Sequence, residues 1–214
     1  MGKRIVYFAV FAAALFAFVA CDEESDDTVE FVNWQETNEN YFDSIYNLAT
    51  AVIEAGDDTY KIIRSWDLEE DVAEDTYDHI VVQVITEGTG SGCPLYTDSV
   101  KIHYDGRLLP STSYPNGYMF DQSYYDEFNA ATSLPATLAV SALVDGMCTA
   151  LQNMHIGDRW KVIVPHQLGY GSSGSTNIPG YSTLIFETEL VSYYRPDVEV
   201  PESKAKETGT WTEK

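Results

Sequence analysis

Basic residues are scarce in this chain. Lys and Arg number 12 against 34 Asp and Glu in 214 residues, a formal net charge of −22. Nucleic-acid binding is disfavoured on that ground, because phosphate recognition needs clustered Lys and Arg to release counterions. Cysteine and histidine are also few, at 3 and 4. Neither Cys93 nor Cys148 has another cysteine at metal-ligand spacing, and His79, His103, His155 and His166 are scattered singly. They read as structural or surface residues, so no metal and no other cofactor is expected. The leading apolar run, residues 5–20, falls short of the roughly 20 residues that cross a hydrocarbon core. The acidic "DEESDDTVE" after it lacks the alternating ligands and turn glycine of a calcium loop.

What is present at the start has the layout of a secretory signal over residues 1–20: Lys3 and Arg4, then the apolar run, then Cys21. Phe18-Val19-Ala20-Cys21 resembles a bacterial lipobox. That resemblance implies acyl chains on Cys21 and a location outside the cytoplasm, anchored to a membrane on its periplasmic face or at the cell surface. Residues 21–32 then form an acidic tether that cannot bury itself. With Cys21 lipidated, Cys93 and Cys148 remain as an even pair, open to a disulfide in an oxidising compartment.

The body divides by periodicity. Tyr41, Ile45, Leu48 and Val52 recur at helical spacing between Trp34 and about Ala55, where Gly56-Asp57-Asp58 stops the run. This helix dominates an N-terminal extension over residues 33–76. A short stretch around residues 60–66 is a candidate strand, and residues 79–86 form the first convincing one. Strand alternation follows: Val100, Ile102 and Tyr104 on one face, then Trp160, Val162 and Val164, then Leu184, Phe186 and Leu190. One short helix interrupts them, with Leu143, Met147, Leu151 and Met154 as its stripe. The fold class is α+β, a curved antiparallel sheet with one short helix across it. The main domain is expected over residues 77–193, with a polar tail over 194–214.

The loop "GYGSSGSTNIPG" has the glycine spelling of a dinucleotide cradle, Gly169-x-Gly171-x-x-Gly174. Such a cradle needs a strand directly before it and a helix opening after it. Here Pro165 ends the preceding strand early, and Ile178-Pro179-Gly180 leads into another strand. Without a helix N-terminus there is no cluster of free N–H groups to hold an anion. The loop instead describes a lid that carries one aromatic hydroxyl, Tyr170.

Five stretches, "VKIHYDGRLL", "MFDQSY", "LVDGM", "MHIGDRWKVIVPHQLGYGSSGS" and "IPGYSTLIFETEL", occur in an order that resembles the FKBP-type peptidyl-prolyl cis-trans isomerases. The resemblance covers residues 77–193 and implies a curved sheet wrapped on a short helix. It also implies catalytic roles for Tyr104, Asp121 and Tyr170, and a proline-binding pocket of Phe120, Leu143, Val144, Met147, Ile178 and Phe186. In that family an amide N–H at the Val144 position and the hydroxyl at the Tyr170 position bind the flanking carbonyls. Proline-containing polypeptides are the implied partners and macrolides the implied inhibitors.

Those residue types suit the reaction. Rotation about an X–Pro bond breaks amide resonance and needs neither a nucleophile nor a metal. Three departures stand out: a longer connection between Tyr104 and Phe120, an extended stretch from Asp121 to Leu143 holding Tyr124, Tyr125 and Phe128, and Met147 where the family commonly has Trp. The expected function is prolyl isomerisation that assists folding of exported proteins. The alternative is a non-catalytic module of the same fold that grips proline-containing or apolar segments.

Overall fold

The computed structural model describes residues 30–72, 75–124, 132–196 and 209–212. The signal, Cys21, Tyr125 and Phe128 lie outside them. In chain order the elements are α1 (Trp34–Glu54), β1 (Tyr60–Arg64), β2 (His79–Thr86), β3 (Ser99–Arg107), β4 (Met119–Gln122) and β5 (Ala136–Ala139). They continue with α2 (Asp145–Leu151), β6 (Arg159–Val164), β7 (Leu184–Pro196) and β8 (Gly209–Thr212).

The strands form one sheet in the order β1-β2-β6-β7-β3-β4, with β5 paired to β3 and β8 to β7. All these pairings are antiparallel. β7, the longest strand, joins the β1-β2-β6 half to the β3-β4 half. The curved antiparallel sheet expected from the alternation is therefore the observed fold, with α2 on one face and α1 on the other.

The inner face carries the main core. Val100 and Ile102 of β3, Trp160, Val162 and Val164 of β6, and Leu184, Phe186 and Leu190 of β7 pack with Met147, Leu151 and Met154. At the start of α2 the backbone lies directly on β6: a Cβ on Gly146 would sit 2.3 Å from a Val164 methyl. Only glycine fits so close an approach.

The outer face carries a smaller core of Phe42, Ala49, Val81 and Ile163, with Tyr46, Ile62 and Tyr77 packed against it. Here the structure corrects the expected helix stripe. α1 buries Trp34, Asn38, Phe42 and Ala49, whereas Leu48 is exposed. One turn in from Trp34 the buried stripe is held by a polar residue, Asn38, which apolar periodicity does not detect.

Two expected boundaries shift. Glu30 and Phe31, placed at the end of the tether, join the body: Glu30 accepts hydrogen bonds from the Ser111 hydroxyl and the Ser113 N–H, and Phe31 packs edge-on against Trp34. At the other end, residues 194–196 continue β7, and β8 comes from the expected tail. Arg195 on this extension pairs with the fully buried Asp98 at 2.8 Å. β1 likewise binds β2 in register, so the N-terminal extension adds an edge strand to the sheet as well as a helix.

Candidate functional site

The candidate site begins at Gly106. β3 runs between β4 and β7, which places Asp121 on one side of Gly106 and Phe186 on the other. A Cβ there would come within 2.6 Å of the Phe120 ring and 2.9 Å of the Phe186 ring. With no side chain at this position, the two rings meet edge to face over the strand, 5.5 Å apart at 89°. Offset and edge-on ring pairs of this kind build a firm apolar wall.

Two residues earlier on β3, the Tyr104 hydroxyl donates to Asp121 Oδ2 at 2.8 Å. The second carboxylate oxygen accepts the Gln122 N–H at 2.8 Å, so the carboxylate is held on both sides. Burial raises the Tyr104 phenol above its ordinary value, and the Asp121 carboxylate and the nearby Tyr170 push in the same direction. The phenol therefore stays a proton donor at neutral pH.

α2 supplies the next wall. Val144 is its N-cap, with extended backbone (φ −65°, ψ 151°), so its N–H lies outside the helix's own ladder. One turn on, Met147 is 3% exposed and belongs to the same packed cluster as Phe186 and Ile178, against which Tyr104, Phe120, Leu143 and Val144 also pack. The expected apolar residues of β3, β4, the start of α2, the lid and β7 thus belong to one packed core cluster. Tyr170 stands on the lid and is 39% exposed.

The lid, residues 165–183, is tied by its own backbone. Gly171 N–H donates to His166 O, Gly174 N–H to Tyr170 O, and Tyr181 N–H to Gly171 O, while Ser175 and Ile178 bridge each other. Gly174 has φ +70°, and a Cβ there would lie 2.2 Å from Ile178 O. The glycines of this loop thus permit backbone-to-backbone approach.

The Cys93–Cys148 pairing is corrected, since both thiols are free. Cys148 turns back from α2, its Sγ 3.1 Å from Val140 O and 3.4 Å from Leu143 O. Cys93 instead lies 3.9 Å from His155 Nε2, beyond the other end of the helix. Burial, with the Asp145 charge, pushes the Cys148 thiol up to about 11, so it stays protonated and inert at neutral pH. Among the described residues, no group of three or more His, Cys, Asp or Glu could hold a metal ion.

Sequence reading missed several contributors. Gly106 stood unremarked inside a recognised stretch, because the rings that meet over it come from neighbouring strands and not from its own sequence neighbours. Trp34 and Asn38 contact the lid from about 145 residues away, and no local pattern announces that.

Residues 93–191 match the family described as FKBP-type peptidyl-prolyl cis-trans isomerase. Over 110 residues the chain is 36% identical to an FKBP-type 22 kDa peptidyl-prolyl cis-trans isomerase of Escherichia coli, covering 51% of this chain and 47% of that protein. It is also 36% identical over 114 residues to a macrophage infectivity potentiator of Trypanosoma cruzi, covering 53% and 52%. The chain spans about half the length of the curated relatives it matches. Among solved structures, a peptidyl-prolyl cis-trans isomerase from Pseudomonas syringae superposes with a TM-score of 0.51 at 25% identity, over 74% of this chain and 95% of that one. FkpA of Escherichia coli shares the fold with a TM-score of 0.51 at 23% identity, over 76% and 62%.

Proposed function

We propose a function from this premise: through residues 93–191 the chain belongs to the FKBP-type peptidyl-prolyl cis-trans isomerases, and it catalyses rotation about X–Pro bonds in polypeptides. The observation that carries the reading is the Tyr104–Asp121 pair, 2.8 Å apart, set at the edge of the Phe120–Phe186 wall. An apolar recess with fixed polar groups on its rim is what this reaction needs. The barrier of about 18–20 kcal/mol comes from amide resonance, which a water-poor site weakens by disfavouring the more polar planar form. The proline ring seats against Phe120, Phe186, Met147 and Ile178. The Val144 N–H and Tyr170 hydroxyl hold the flanking carbonyls, and Asp121 with Tyr104 polarises the rim. No step is covalent, and none moves a proton to or from the substrate. Stabilisation of the twisted geometry over the planar one is what accelerates the reaction.

The substrates are exported proteins, met outside the cytoplasm by a domain anchored through lipid on Cys21. The signal layout and the Phe18-Val19-Ala20-Cys21 spelling support this. Membrane fractions should retain the full chain and release Cys21→Ala with its fold intact.

One residue favours a second reading. Met147 gives an apolar floor but not the broad, rigid surface of an indole, which suits a module that grips proline-containing segments without turning them over. A single assay separates the two: acceleration of a proline-limited refolding reaction, abolished by a pocket-binding macrolide. Reduced but measurable acceleration that rises in Met147→Trp supports the enzyme. Binding without any acceleration, in both proteins, replaces it with the gripping module.

A further inference from the structure

We infer that the N-terminal helix is part of the site: α1 holds the lid in place, and Trp34 and Asn38 are positioning residues for Tyr170 and Ile178. The inference rests on the isomerase reading for its consequence, but its geometry stands independently.

The lid's backbone bonds make it a unit, and its attachment to the body is two-sided. On the inner side, Leu168 and Ile178 insert into the main core. The second attachment comes from α1, whose first two turns, with Trp34 itself in the main core, hold the lid at both of its ends. The Trp34 indole N–H donates to Ser182 Oγ at 2.8 Å, and that hydroxyl donates to Pro179 O at 2.7 Å, the carbonyl next after Ile178. One turn later, Asn38 Oδ1 accepts the Thr183 N–H at 2.8 Å, while the Asn38 backbone carbonyl accepts the Thr183 hydroxyl at 3.3 Å. At the lid's other end, His166 lies 3.9 Å from Glu39 and edge-on to Tyr181.

Asn38 is the most informative of these residues. It is fully buried in the second turn of a helix, where asparagine is a poor former and an unsatisfied amide is costly. An apolar residue would serve simple packing against the sheet better. Its amide is instead used on both sides, donating to Trp34 O at 2.7 Å and accepting from Thr183. Tyr181, between the two gripped points, adopts φ +63°, a left-handed backbone rarely taken by a bulky residue. Such a conformation persists where the surroundings over-determine it. Tyr181 is held by its N–H to Gly171 O and by the His166 ring, and the next two residues, Ser182 and Thr183, are bound by α1.

The test uses the full chain and two variants that spare the pocket, Trp34→Phe and Asn38→Ala, with Ser182→Ala alone and combined with Trp34→Phe. Amide hydrogen exchange over residues 166–183 reads the lid directly and needs no activity. Expected is exchange about tenfold faster in the lid of each α1 variant, while β3 and β6 stay protected. Isomerisation of a chromogenic Xaa-Pro tetrapeptide should show kcat/KM lowered about tenfold, with KM taking part of the change. Trp34→Phe/Ser182→Ala should be no worse than the poorer single variant, because both remove the same bond. Unchanged lid exchange in Trp34→Phe and Asn38→Ala overturns the inference, as does lid loosening that leaves kcat/KM and KM unmoved. A wild-type protein that isomerises nothing overturns the functional reading instead, and tetrapeptide affinity then replaces kcat/KM as the second readout.

Discussion

The two faces of the sheet are built to different rules. The inner face is packed continuously with aliphatic and aromatic side chains and owes its shape to α2, whose buried residues run without a break from Gly146 to Leu151. Among the described residues the apolar cluster of the outer face buries Phe42, Ala49, Val81 and Ile163, and α1 meets it with tyrosines and the buried Asn38. The inner face makes a dense apolar core that takes in Met147, Ile178 and Phe186. The outer one makes a support that fixes loops by hydrogen bonds, and this division teaches that stability and positioning are supplied from opposite sides.

The largest effect that would sharpen this contrast is a pair of truncations. Leu151→Ala on the inner face should cost about 4 kcal/mol, since a fully buried leucine in a dense core leaves a cavity that cannot collapse. Phe42→Ala on the outer face should cost about 3 kcal/mol, the low end for phenylalanine, because the thinner cluster relaxes around the gap. Urea titrations read both. An equal slope in the two variants means that the faces unfold together, whereas a shallower, earlier transition for Phe42→Ala alone means that α1 detaches first.

Next comes a change on the inner rim that should leave stability alone. Asp121→Asn keeps the shape but removes the charge beside Tyr104, and kcat/KM should fall about tenfold with the urea midpoint unmoved. A matching fall in stability would break the division of labour, because the rim would then be structural as well.

Much of the inner face was legible in sequence, for a physical reason. Alternation at Trp160, Val162 and Val164 reports burial on one side of a strand, and β2 runs over residues 79–86 as read. α1 was legible in extent but not in orientation. Tyr41 and Ile45 pack against the core as read, whereas Leu48 is exposed and the buried Asn38 went undetected. Cysteine parity misled because counting carries no geometry, and β8 escaped because a four-residue polar strand has no period to detect. The gathering of Phe120 and Phe186 over Gly106 depends on strand order, which no local pattern encodes.

A smaller effect tests the outer face through pH. Burial holds His166 below the ordinary imidazole value, with Glu39 partly offsetting it, and burial shifts the enclosed His103 the same way. The unfolded chain therefore takes up these protons first. Stability is whole above the unfolded value of about 6.5 and falls as the pH drops from there toward the folded values. Urea midpoints at about pH 7.5 and 5.5 should show that fall, and His166→Gln should flatten it. An unaltered slope would remove His166 from the account.

The smallest expected effect is none. Reduction of the purified protein should leave its melting temperature unchanged, and a thiol reagent should modify Cys93 well before Cys148, which is buried and held protonated. A reduction-sensitive melting temperature would restore the disulfide.

The position of β7 has a consequence for how the molecule assembles. It is the seam of the sheet, and it follows α1, β1–β6 and α2 along the chain. Until it is made, β1-β2-β6 and β3-β4-β5 have no edge in common, and α1 lacks Ser182 and Thr183 to bind. Long-range closures of this kind are slow and leave apolar surface waiting. A chain emerging in order would therefore hold two unfinished half-sheets, and one late strand would zip them together, complete the pocket and seat the lid in a single event.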